Sequence, residues 1–166
     1  AAASQAIRDE LTGIFNRRHL EGEMTLQIAR SARRGSPLTV AILDIDHFKR
    51  INDSFGHAAG DEALRHVADV ISRNIRGIDV FGRYGGEEFL LIMPDTTVAS
   101  AAVLCNRLRD AIRSVRPDAV ADGDPITVSA GLAQLRPGER SEDLIRRADV
   151  ALYRAKEGGR DRAEVE

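Results

Sequence analysis

From Asn16 to Gly35 the chain reads NRRHLEGEMTLQIARSARRG and sets Leu20, Met24, Ile28 and Ala32 four residues apart. That spacing is the apolar stripe of an amphipathic helix, closed by Gly35 and Pro37. LTVAILDID follows, a nearly continuous apolar and β-branched run that predicts a central strand covered on both faces. In ALRHVADVISRNIR, Leu64, Val67, Ile71 and Ile75 fall on one helical face, and DVFGRY with FLLIM then reads as two strands around a tight turn. TTVASAAVLCNRLRDAIRSV carries Ala101, Leu104, Leu108, Ile112 and Val115 at helical spacing, behind threonines able to cap it. A polar link containing Pro117, Asp122, Gly123 and Pro125 leads into the strand ITVSAGLAQL. Ser141 is then expected to cap a last helix with Leu144, Ala148, Ala151, Leu152 and Ala155 along one side.

The order is helix, strand, helix, hairpin, helix, strand, helix. Such alternation around one antiparallel hairpin predicts an α/β (α+β) fold, a central mixed sheet flanked by helices rather than an all-parallel doubly wound one. At 166 residues, 43% hydrophobic and 30% charged, the chain suits one soluble domain. No apolar stretch approaches the ~20 residues that span a bilayer, and no signal peptide opens the chain. A cytoplasmic location is therefore expected, including that of the cytoplasmic part of a membrane-anchored protein. The single cysteine, Cys105, agrees with a reducing compartment and reads as a small buried residue on a helix. A formal charge of −2 and a pI of about 6.1 leave no basic stripe of the kind nucleic acids require. Any nucleotide should be met by a few placed cations.

The candidate chemistry begins where the buried strand ends. AILDIDHF closes an apolar run with Asp44 and Asp46, and an unpaired buried carboxylate is costly, so something positive is expected beside it. Asp46 can be read as the cap of a helix beginning near His47. Asp44 then remains unexplained, and a metal ion would satisfy it. The stretch RYGGEEFLLIM supplies a complement: Gly85 and Gly86 are expected to take the positive φ of a tight turn, while Glu87 or Glu88 reaches toward the strand. Oxygen ligands without His or Cys at metal spacing favour Mg²⁺, with Mn²⁺ as the alternative. His19, His47, His57 and His66 show no zinc pattern. GGEE alone would equally describe a solvated hairpin tip; its pairing with DID carries the metal reading.

RYGGEEF, taken with DELTGIFNRR, DIDHFKRINDSFGHAAGDEAL, RGID and RADVALYRAKEGGRDR, resembles the GGDEF family of diguanylate cyclases from about Asp9 to Asp161. The resemblance implies synthesis of cyclic di-GMP from two GTP with release of two pyrophosphates. It also implies a fold similar to the palm of adenylate cyclases and polymerases, with about five strands. By the same resemblance Asp44 and Glu87 are metal ligands, joined by the carbonyl of Ile45. Glu88 holds a second ion or helps deprotonate the attacking 3′-hydroxyl, and which glutamate is the base stays open. Lys49 is implied as a transition-state lysine, and Lys156 and Arg160 as the phosphate grip. Asn52, His57 and Asp61 match the guanine pocket, where Asp61 can accept from a ring N–H and an exocyclic amine that adenine lacks in that arrangement. Each has a plainer reading: Lys49 as a solvated lysine, Asp61 as a first-turn acid, Lys156 and Arg160 as cations ending a helix.

In RGID, the resemblance implies a product-inhibition site. Arg76 would grip a guanine's Hoogsteen edge, Asp79 would take its Watson–Crick donors, and Arg107 would be a second product-binding arginine. Asp161 departs from the family's usual asparagine, which either weakens GTP binding or leaves the side chain facing solvent. His47 stands where an aromatic residue is common. The implied assembly is a homodimer in which each domain holds one GTP and its Mg²⁺, with feedback by the product. Residues 1–8 are expected to end an upstream linker or signalling helix, with 9–166 as one catalytic domain and a sensory or regulatory domain upstream. The alternative is a catalytically silent module that senses GTP or cyclic di-GMP for a partner domain. Intact Asp44, Glu87, Glu88 and Lys49 favour the enzyme.

Overall fold

Leu38–Ile45 forms strand β1, buried along its whole length as its unbroken apolar run requires, in a computed structural model that describes residues 6–166. Around it the chain builds α1 (Arg17–Arg34), α2 (Phe48–Phe55), α3 (His57–Asn74), β2 (Val80–Arg83), β3 (Glu88–Pro94) and α4 (Val98–Ser114). A 3₁₀ turn at Asp118–Val120, β4 (Val128–Gln134), α5 (Ser141–Glu157) and β5 (Ala163–Val165) complete it. The five strands lie in the order β2-β3-β1-β4-β5. β1 runs antiparallel to both β3 and β4, β2 antiparallel to β3, and β5 parallel to β4. The expected mixed sheet and α+β class are what the chain adopts.

Strand alternation sends side chains to two separate cores. Leu38, Val40 and Ile42 of β1, with Leu90 and Ile92 of β3, meet Leu20 and Met24 of α1 and Leu144, Ala148 and Leu152 of α5. Ala41, Leu43 and Ile45, with Phe89, Leu91 and Met93, meet Leu64, Val67 and Ile71 of α3 and Cys105, Leu108 and Ile112 of α4. Each fully buried Leu, Ile or Phe stabilises the fold by roughly 1.5–3 kcal/mol, so the sheet is held from both sides. α5 packs so close to β4 that a Cβ on Gly131 would lie 2.2 Å from the Ala148 carbonyl and the Leu152 amide. Burial pushes the Cys105 thiol up to about 12, so it stays an inert core residue.

The helix ends follow local chemistry. Asn16 caps α1 by accepting from the His19 amide, and Gly35 closes it in the left-handed conformation. Thr97 caps α4 through the Ser100 amide, as expected. Ser141 does not cap α5: Arg140 holds the cap position without a side-chain bond, and Ser141 is the first helical residue. Glu142 and Asp143 instead put negative charge at that helix's positive end. Gly56, at φ 91°, both ends α2 and starts α3, a conformation a side chain would resist. The short β5 was not separable in the sequence.

Ala6 to Arg8, assigned to a linker by sequence, fold back on the domain. Asn16 donates to the carbonyls of Ile7 and Ala6, and the Arg8 guanidinium lies 4.2 Å from the centre of the Phe15 ring. The rest of that expected linker, residues 1–5, lies outside the described residues. Among the described residues no helix is long and apolar enough to cross a membrane.

Candidate active site

Asp44 extends the row of Leu38, Val40 and Ile42 by one step, so its carboxylate emerges at the end of β1 on the α5 side of the sheet. Its register partner on β3 is Glu88. The Ile45 amide donates to the Glu87 carbonyl at 3.2 Å, which fastens the GGEE turn beside the strand end. From the last turn of α5, Lys156 donates to Asp44 Oδ2 at 3.0 Å, supplying the positive partner that a buried carboxylate demands. Glu87, Lys49 and Arg160 join Asp44, Ile45 and Lys156 around a cleft of about 180 Å³. Glu88 turns along α5 toward Asp149 and Tyr153.

One lysine does not neutralise these acids. Burial pushes the Asp44 carboxyl above its ordinary range, and Lys156 offsets that only in part. Burial likewise raises Glu87, with repulsion from Asp44 next. Glu88 is raised by burial, then by Asp44 and Asp149. Three carboxylates all held upward in one neighbourhood is the electrostatic state that a bound cation relieves. Among the described residues, no three His, Cys, Asp or Glu side chains converge enough to cage an ion unaided. An all-oxygen donor set of this kind fits Mg²⁺, which keeps waters and substrate phosphates in its shell, better than a metal needing a complete protein cage.

Two expectations about the backbone are corrected. Asp46 does not cap α2; His47 occupies the cap position at φ 54° with no side-chain bond. The Asp46 carboxylate turns to the sheet and accepts from Thr127 Oγ1 (2.7 Å), Ser129 Oγ (2.6 Å) and the Asp161 amide (3.0 Å). Nor do Gly85 and Gly86 sit at positive φ. Their smallness acts through space: a Cβ on Gly85 would come 3.1 Å from Glu88 Oε1, while Gly86 faces nothing within 4 Å. Asp161 points away from the cleft to α4, where Arg109 and Arg113 take its carboxylate at 2.8 and 2.5 Å and leave it about a third exposed (31%).

Across the α2–α3 junction, Asn52 Oδ1 is buried without a partner. Gly60 makes room for it, since a Cβ there would lie 1.9 Å from that oxygen. An orphaned acceptor is costly unless a ligand donor completes it. Asp61 follows, half-buried and just past the first turn of α3, and His57 is exposed at that helix's start. The three residues expected to read a base thus share one junction.

The RGID turn differs from its expected presentation. The Asp79 side chain is 0% exposed and both its oxygens are taken by Arg76, through the backbone amide (2.9 Å) and Nη2 (3.0 Å). Asp79 therefore orients Arg76 instead of offering free acceptors to a ligand. Arg76, which also donates to the Pro94 carbonyl and to Thr96 Oγ1, remains half exposed. Arg107 is exposed on α4.

Sequence reasoning missed two supports of the site. Arg83 donates to both Asp9 oxygens (3.3 Å) and to the Gly86 carbonyl (2.7 Å), joining the amino-terminal turn to the GGEE turn. Burial raises the Asp9 carboxyl, but bonds from Thr12 and the Arg83 charge outweigh it and hold it below its ordinary range. The D-x-x-T pattern of Asp9 and Thr12 was the available signal. The second support is the pair Thr127 and Ser129, two hydroxyls at the start of β4, one just before the strand and one within it.

Comparison with known proteins shows the family. The family described as "Diguanylate cyclase, GGDEF domain" matches residues 6–162. Diguanylate cyclase DgcP of Pseudomonas aeruginosa is 44% identical over 161 residues, which are 97% of this chain and 24% of that protein. Response regulator PleD of Caulobacter vibrioides is 43% identical over 160 residues, 94% of this chain and 35% of that protein. The chain thus spans a quarter to about a third of these relatives. The GGDEF domain of DgcB from Caulobacter crescentus, solved in complex with c-di-GMP, superposes with a TM-score of 0.91 at 38% identity, covering 96% of this chain and 95% of that one. The chain belongs to the GGDEF family of diguanylate cyclase domains.

Proposed function

We propose that this domain is a diguanylate cyclase that condenses two GTP into cyclic di-GMP, releasing two pyrophosphates, with Mg²⁺ or Mn²⁺ as cofactor. The observation that carries the reading is the register pair Asp44 and Glu88, with Glu87 beside them and Lys156, Lys49 and Arg160 nearby. Acids for a cation and cations for a triphosphate meet at one strand end. The relatives named as cyclases and the DgcB domain solved with c-di-GMP support the same chemistry.

Asp44, Glu87 and the Ile45 carbonyl would hold the divalent ion together with substrate phosphates, and Glu88 would hold a second ion or help deprotonate the attacking hydroxyl. When bound, that ion polarises the α-phosphate and lowers the pKa of the attacking hydroxyl. The chain's own residues do the rest. Asn52 and Asp61 offer acceptors to the guanine edge, and an ATP base would leave them unmatched. Lys49, Lys156 and Arg160 meet the negative charge that builds on the departing pyrophosphate. Lys156 must leave Asp44 to do so. A glutamate held above the ordinary carboxylate range is a better proton acceptor for the 3′-hydroxyl than an unperturbed one.

In each half-reaction a 3′-oxygen bonds to the α-phosphorus of the other nucleotide, and the bond from that phosphorus to pyrophosphate breaks. The described residues form one cleft that joins Asp44, Glu87 and Lys156, and each nucleotide is both attacker and target, so two domains act face to face as a homodimer. Arg76 and Arg107 supply exposed guanidinium groups for product binding away from the cleft, the basis of feedback inhibition. Concentrated protein with GTP and Mg²⁺ should yield cyclic di-GMP, and Asp44→Asn or Glu87→Gln should yield none. Recovery of intact GTP from the unaltered chain, even fused to a dimerising helix, contradicts the proposal.

A further inference from the structure

We propose that Asp161, gripped by Arg109 and Arg113 of α4, is a positioning residue that fixes Arg160 for binding the triphosphate; this rests on the reading of Arg160 as a phosphate-gripping cation. After α5 ends, the Arg160 amide donates to the Ala155 carbonyl at 2.9 Å, and the chain then turns through φ 64° at Arg160 and 45° at Asp161. Both values lie in the left-handed region that residues with a Cβ seldom occupy, and two in succession persist only where the surroundings fix them.

Every polar atom of Asp161 is engaged in that task. Its amide donates to Asp46 Oδ2 at 3.0 Å. Its carbonyl and Oδ1 both accept from Arg109 Nη1, at 2.7 and 2.8 Å, and Oδ2 accepts from Arg113 Nη1 at 2.5 Å. The two arginines are themselves held, Arg109 by Asn106 at 2.8 Å and Arg113 by Asp110 at 2.7 Å. Asp46 is anchored to β4 and its approach by Ser129 and Thr127. The turn is therefore tied to two elements at once, α4 and the strand end that carries Asp44.

The consequence falls on Arg160, which lines the cleft with Asp44, Lys49 and Glu87. A guanidinium on a fixed backbone loses less freedom on gripping phosphate than one on a mobile tail. The chemistry also explains the acid at this position. An asparagine would keep an acceptor for Arg109 but would lose the charge and turn an N–H, or nothing, toward Arg113. Asp161 and Arg113 are matched to each other.

The test compares binding of 3′-deoxy-GTP, which has no attacking hydroxyl, with binding of GMP, in Mg²⁺. Arg160→Ala and Asp161→Ala should each weaken 3′-deoxy-GTP about fivefold or more and change GMP less than about twofold, and the double variant should be no weaker than Arg160→Ala alone. Arg113→Ala should reproduce part of the loss, and Asp161→Asn should lie between Asp161→Ala and the unaltered chain. If Arg160→Ala weakens binding but Asp161→Ala and Arg113→Ala do not, or if the losses multiply in the double variant, the positioning role is overturned. Equal loss of GMP and 3′-deoxy-GTP in Asp161→Ala also overturns it, because that marks general damage to the fold. If Arg160→Ala binds 3′-deoxy-GTP normally, the phosphate grip itself falls and this inference with it.

Discussion

Lys156 Nζ lies 3.0 Å from Asp44 Oδ2, and the Asp44 side chain is 7% exposed, so the cation assigned to phosphate also pairs with a buried acid of the same site. Lys156→Met should leave Asp44 buried and unpaired. Because the Lys156 side chain is 33% exposed, the expected cost at neutral pH is about 1–2 kcal/mol, less than for a fully buried pair, seen as a fall of roughly 2–8 °C in Tm. Added Mg²⁺ or Mn²⁺ should restore more stability to the variant than to the unaltered chain. Equal responses to the ion in a thermal-shift titration would separate Asp44 from metal binding.

The raised carboxyls make a prediction about pH. Glu87 and Glu88 bind protons more readily in the folded chain than in the unfolded one. Stability therefore falls as pH rises from the ordinary glutamate range through the raised folded values, and the charged forms burden the protein at neutral pH. Glu87→Gln should raise Tm at pH 7 by about 2 °C and abolish synthesis, with the stability gain vanishing below about pH 4. A variant no more stable than the unaltered chain at pH 7 would contradict the assigned electrostatics.

Gly60→Ala probes the base pocket without touching the carboxylates. The added methyl must displace the Asn52 side chain, whose oxygen would otherwise lie 1.9 Å away. The KM for GTP should rise about tenfold or more, and preference for GTP over ATP should shrink, because a base-edge partner is lost. Unchanged KM and unchanged preference would remove Asn52 from recognition.

Arg107→Ala tests feedback more cleanly than a change at Arg76, whose guanidinium also holds the buried Asp79. Arg107 is exposed on α4, so the variant should keep the Tm of the unaltered chain within about 1 °C. Its initial rate should be unchanged and its late product accumulation higher. Superimposable progress curves would exclude Arg107 from the inhibitory site.

The apolar periodicities located β1 and the helices, because each buries a face whose spacing is set by backbone geometry. Asp44 stood out for the same reason, as a charge at the end of a strand buried on both sides. What the sequence hid depends on contacts between distant segments. Asp46 looked like a cap because its true partners, Thr127 and Ser129, lie far along the chain. Asp79 looked available because nothing in RGID reveals that Arg76 turns back onto it. Ser141 carried the right chemistry for a cap but stands one residue inside the helix. Three-residue β5 has no pattern of its own and forms by pairing with β4. The Asp161 anchorage was invisible because Arg109 and Arg113 belong to a helix read only for its apolar side and for Arg107, and nothing local joins them to a residue about fifty positions on.

A crystal structure with 3′-deoxy-GTP and Mn²⁺ tests the central claim most directly, since Mn²⁺ can be located by its anomalous signal. A peak bonded to the Asp44 and Glu87 carboxylates and to the triphosphate, with Lys156 moved from Asp44 onto phosphate, is the result expected. Triphosphate bound elsewhere, with Lys156 still paired to Asp44 and no ion between the carboxylates, would contradict the account.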